Sequence, residues 1–168
     1  MSKDNFLGKV DSDINVLDEL NKTYDFCPNS NTIRPSEEKK EKKIEKIIQI
    51  KYDWYNIKDF ISHTVFGLNF YEYIEDEGLV KKYVKYSDEI NKEYVFMEQF
   101  FPYDVKGNHW VMWYPTRYQM KSDDEISEDI FLELSCIVKS NKFNFCWYIN
   151  PTMTIPDFFH FQVFWDFI

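Results

Sequence analysis

The chain has 168 residues, a formal net charge of −9 and an aromatic content of 20%. That length supports one domain with a core of its own, and the aromatic content predicts a ring-dominated interior. The acidity excludes non-specific nucleic-acid binding across a broad lysine- and arginine-rich surface.

Residues 1–35 are polar, with scattered acids and a loop-like PNSNTIRP stretch, and read as a flexible or partly ordered arm. Residues 36–168 read as a single α+β domain. No apolar run approaches a membrane span, and the first residues lack the basic-then-apolar pattern of a signal peptide. The expectation is therefore a cytoplasmic protein with no membrane partner, in which the Asn21-Lys22-Thr23 sequon stays unmodified. Cys27, Cys136 and Cys146 form an odd set without CxxC or Cys/His spacing, which points to reduced thiols.

Pro35-Ser36-Glu37-Glu38 starts a helix with Ser36 as N-cap and acids in the first turn. Ile44, Ile47, Ile48 and Lys51 form its expected apolar stripe, and its Glu/Lys run reads as a solvated face. Asn56 caps a second short helix, IKDFISHTVF, closed by Gly67. Residues 79–100 match a third helix, with Val80, Tyr83, Val84, Ser87, Ile90 and Tyr94 near one face. Lys106-Gly107-Asn108 is turn chemistry.

From there the pattern changes to period two. Residues 108–115, 143–150 and 159–166 each alternate as half-buried strands. Between the first two, Ser122-Asp123-Asp124-Glu125 is a capping box opening a helix over about residues 123–139, with Ile126, Ile130, Leu134, Ile137 and Val138 as its core face. The three strands are expected in one antiparallel sheet with this helix packed on one face.

Chemistry is sparse. The three histidines lie far apart with no metal-ligand spacing, so neither a metal nor a cofactor is expected. There is no phosphate-binding glycine loop and no nucleophile elbow. What remains is a polar face on the C-terminal hairpin. Tyr148, Asn150, His160 and Gln162 project together, and His109 with the Trp110/Trp113 strand forms a wall. Aromatic walls with a few placed polar groups suit a nucleobase or sugar, and suit a plain core equally well.

The order GNHWVMWYP, capped helix, FCWYIN and HFQVFW resembles the core of the histidine-triad superfamily, with a Gly-His-hydrophobic strand, a helix, a strand ending in Asn and a final His-x-His-x-His strand. Residues 45–165 more closely resemble a fungal family of unknown function that includes N-acetylglucosamine-induced protein 1, on FPYDVKGNHWVMWYP and INPTMTIPDFFHFQVFW. The resemblance implies a degenerate triad-like sheet after a helical N-terminal half. It puts the first triad histidine at His160, the nucleophilic one at Gln162 and the third at Phe164. An amide has no basic nitrogen with which to attack phosphorus, so the expected function is nucleotide or nucleotide-sugar binding without covalent histidine catalysis. Three alternatives stand beside it. One is a non-covalent enzyme with His160 as acid/base; another is a protein-interaction protein with a filled pocket; the third is a cap- or single-strand RNA-binding module using stacked tryptophans.

Overall fold

The computed structural model describes residues 37–103, 107–115, 121–149, 155 and 157–168. In chain order the elements are α1 (Glu37–Asp53), α2 (Ile57–Thr64), β1 (Tyr71–Ile74), a 3₁₀ turn (Asp76–Gly78), β2 (Val80–Tyr83), β3 (Val95–Glu98), β4 (Asn108–Tyr114), α3 (Asp123–Val138), β5 (Phe143–Ile149) and β6 (Phe159–Phe167). The class is α+β. The expected arm, Ser36 and Asn150 lie outside the described residues.

The caps read from the sequence form as local chemistry requires. Asn56 Oδ1 accepts from the Asp59 N–H at 2.8 Å, and Gly67 turns the chain out of α2 with φ 75°. At α3 both halves of the capping box are present: Ser122 Oγ accepts from Glu125 N–H, and Glu125 Oε2 accepts from Ser122 N–H at 2.7 Å.

The expected third helix at 79–100 does not form. Its two ends are strands instead. Val80–Tyr83 pairs with β1, and Val95–Glu98 pairs with β4 through Val95↔Trp113 to Glu98↔Trp110. A four-residue strand spans little more than one helical turn, so a helical and an alternating pattern overlap there. Valine and the aromatic residues favour the extended form once a partner strand is available. Glu77 and Gly78, at φ 73° and 80°, reverse the chain ahead of β2.

The main sheet has the order β3-β4-β6-β5 with every neighbour antiparallel. Both of its faces are covered. On one face, Ile126, Ile130 and Leu134 of α3 meet Met112, Tyr114, Phe145, Trp147, Phe161 and Val163. On the other, Ile61, Val65 and Phe66, from α2 and the turn after it, meet Val111, Trp113 and Phe158. Double coverage explains why β5 and β6 contain aromatic residues at consecutive positions. α1 docks through Ile50 and Ile47, while Ile44 and Ile48 of the expected stripe are exposed.

Trp147 and Phe161 anchor the α3 side, their rings 5.1 Å apart and nearly perpendicular. The Trp147 indole N–H also donates to Ser127 Oγ at 2.9 Å. Replacing either residue with alanine is expected to cost ~3–5 kcal/mol in chemical denaturation, through lost burial and a residual cavity. Because the rings touch, the double variant should lose less than the sum. A midpoint that barely moved in either single variant would contradict this packing.

Candidate functional site

β4, β6 and β5 lie side by side, so the period-two rule sorts their side chains across three strands at once. The register Trp113↔His160, Val111↔Gln162, His109↔Phe164 and Tyr148↔Gln162 puts all seven residues on the sheet face turned towards α2. Trp110, opposite Val163, is on the α3 face and packs against Phe96 and Trp165. The two tryptophans therefore do not share a site.

Above this face, between the sheet and helices α1 and α2, is an open cleft of about 920 Å³. Trp113, His160 and Gln162 form its floor, with Phe60, Phe101 and Tyr103 adding rings and Gln99 a second amide. Lys39, Lys42, Lys43 and Lys46 of α1 line its rim, with Glu45 the acidic residue among them. Lys42 is paired with Glu38 at 2.8 Å, whereas Lys43 and Lys46 have no ion-pair partner among the described residues. The Glu/Lys run read as a solvated face thus contributes a basic edge. The signal was available in the spacing: residues 39, 42, 43 and 46 fall on one side of a helix, together with Ile47 and Ile50.

His109 and Tyr148, both expected to touch a ligand, lie behind the floor. His109 stacks on Phe164 at 4.3 Å and meets the tilted Tyr103 ring at 4.7 Å, and Tyr148 lies nearly parallel to Phe164 at 5.9 Å. That ring stack fills the place where the resemblance puts the third triad histidine.

The polar atoms of the floor are ordered by a chain of hydrogen bonds. The Tyr103 N–H donates to His109 Nδ1 at 3.0 Å, so this nitrogen is unprotonated and Nε2 carries the hydrogen. Nε2–H then donates to Gln162 Oε1 at 2.6 Å, and Gln99 Nε2 donates to the same oxygen at 2.8 Å. Gln162 is consequently held with its oxygen inward. Its amide nitrogen, with no acceptor among the described residues, faces the cleft that the residue lines. His160 stacks on Trp113 at 4.6 Å, and its Nδ1–H donates to the Phe158 carbonyl at 3.2 Å. The nitrogen left over, Nε2, is an acceptor. Burial lowers the pKa of both rings, that of His109 to about 4, which keeps them neutral near pH 7.

The fold and site together define an α+β protein with an aromatic-floored, lysine-rimmed cleft. Comparison with protein-family models, with curated proteins and with solved structures finds no match.

The histidine state has a thermodynamic consequence. His109 titrates at about 4 when folded and near its ordinary 6.5 when unfolded, chiefly because burial disfavours the cation. Between those values the unfolded chain binds the extra proton. Stability is therefore intact above pH 6.5 and is lost as the pH falls towards 4, by ~3 kcal/mol from this ring. His160, lowered for the same reason, adds in the same direction. Denaturation midpoints between pH 7 and 4.5 should fall more steeply for the wild type than for His109→Gln. Equal slopes would mean that His109 is not held neutral.

Proposed function

We propose that this protein binds a nucleotide or nucleotide-sugar in the cleft over His160 and Gln162 and forms no covalent histidine intermediate. The observation carrying this reading is that, among the described residues, the space above those two side chains is open. An interaction protein with a filled pocket would have side chains there. The cleft combines rings suited to stacking, a few neutral polar atoms and a basic rim in a chain of net charge −9. Surface lysines on an acidic protein draw an anion to one edge rather than to the whole surface.

Inertness rests on Gln162. Its oxygen is engaged by His109 and Gln99, and an amide nitrogen has no lone pair for attack on phosphorus. His160 accepts at Nε2 and so has no proton to give in this state. The module with two stacked tryptophans is the weaker alternative, because Trp110 and Trp113 lie on opposite faces of the sheet.

Calorimetry against nucleoside mono- and diphosphates and nucleotide sugars should give heat that weakens as salt is added. Thermal shift should agree, since ligand at about 100 times its dissociation constant adds ~2.7 kcal/mol. No heat at millimolar ligand would favour the interaction-protein reading. Hydrolysis of a nucleoside phosphate ester that His160→Ala abolishes would restore the enzyme reading.

A further inference from the structure

We infer that the ligand enters this cleft base first: its nucleobase edge pairs with His160 Nε2 and the Gln162 amide nitrogen, and its phosphates remain at Lys43 and Lys46. The inference rests on the nucleotide reading above and gives that ligand a direction. In a histidine-triad enzyme the group at the position of Gln162 meets phosphorus, so the orientation inferred here is the reverse.

Three observations carry it. First, the floor presents one acceptor and one donor. His160 commits Nδ1–H to the Phe158 carbonyl and leaves a lone pair at Nε2, while Gln162 commits its oxygen and leaves N–H groups. A base edge carries a donor next to an acceptor, and so can answer both. A phosphate carries acceptors alone at neutral pH, and its oxygens would meet the His160 lone pair in repulsion.

Second, the floor holds no cation. His160 and Gln162 are 6% and 5% exposed, and burying a phosphate dianion against neutral partners carries a large desolvation cost. Lys43 and Lys46, without an ion-pair partner among the described residues, lie on α1, where a phosphate can keep part of its hydration. Third, rings on which a base could stack, Trp113 and Tyr103, line the cleft together with those polar atoms, whereas the lysines belong to α1.

The test uses the two ends separately. Calorimetry compares adenosine, guanosine, uridine and cytidine with their 5′-diphosphates on the full chain. Gln162→Glu keeps an oxygen for His109 and Gln99 but replaces the outward donor with an acceptor. Gln162→Met removes the donor at similar length and serves as the second variant, with thermal melting to check that both fold. For the best-binding base, Gln162→Met should weaken nucleoside and diphosphate by the same factor, about tenfold or more. Gln162→Glu should weaken both, the diphosphate further because the new carboxylate repels the phosphates. Lys43→Glu combined with Lys46→Glu should weaken only the diphosphate and remove most of its salt dependence.

If the Gln162 variants weaken the diphosphate and spare the nucleoside, or if the lysine variant weakens both equally, the orientation is wrong. If no nucleoside or nucleotide binds the wild type, the nucleotide reading itself fails. The two failures are distinct.

Discussion

The Tyr103 backbone N–H can only donate, and in this fold it donates to a buried imidazole. The orientation of Gln162 on the cleft floor follows from that. His109 becomes an acceptor at Nδ1 and a donor at Nε2, Gln162 turns its oxygen to receive that hydrogen, and Gln99 adds a second donor to the same oxygen. The chain of bonds joins the segment after β3 to β4 and β6, so it also holds three pieces of backbone in register. Buried polar groups of this kind are costly unless each is satisfied, and the cost rises in the low dielectric of an aromatic interior. Phe164 is stacked on His109 and the Tyr103 ring is tilted against it, so the imidazole is buried and these bonds are shielded from solvent.

This polar chain survives inside an apolar sheet because of how the sheet is covered. With α3 on one face and α2 on the other, both faces of β4 and β6 are interior, and polarity cannot be relegated to a solvent side. The α3 face is built of rings and aliphatic side chains; Trp147 bonds Ser127 and Tyr114 bonds Asp129, while the buried Trp165 Nε1–H has no partner among the described residues. The α2 face is built differently. α2 covers only part of that face, through Ile61, Val65 and Phe66, and the uncovered part over His160 and Gln162 is the cleft. The cleft is thus a consequence of a short helix on a long strand, with α1 standing off as its far wall.

Much of this was legible in the chain. The strands at residues 108–114, 143–149 and 159–167 follow from their aromatic, period-two runs, although β5 and β6 are buried on both faces and not half-buried as expected. The helix between the first two follows from a capping box whose two bonds are local. The part that was not legible depends on distant partners. Val80–Tyr83 and Val95–Glu98 are strands because β1 and β4 lie beside them, and nothing within four residues distinguishes that from a turn of helix. The lysines of α1 show a helical face in their spacing, but whether that face meets solvent or a cleft is decided by how α1 leans on α2. Trp113 and Trp110 differ only in strand parity. The sequence set them on opposite faces, yet the site inferred from the sequence used both. Gln99 gave no sign of its role, since its partner Gln162 is 63 residues away.

The glutamine at position 162 is tied to more than one other side chain. A histidine placed there would meet the Nε2–H of His109, which the Tyr103 N–H keeps in place. A neutral ring accepting that hydrogen with one nitrogen carries its own hydrogen on the other. It would therefore show the cleft an N–H, as the amide does now, and not the lone pair that attack on phosphorus needs. Position 164 offers no remedy, because Phe164 is locked between His109 and Tyr148 in the ring stack. The donor facing the cleft is thus set by the backbone of Tyr103, two hydrogen bonds upstream of Gln162, and changing residue 162 alone does not supply this floor with a lone pair for attack.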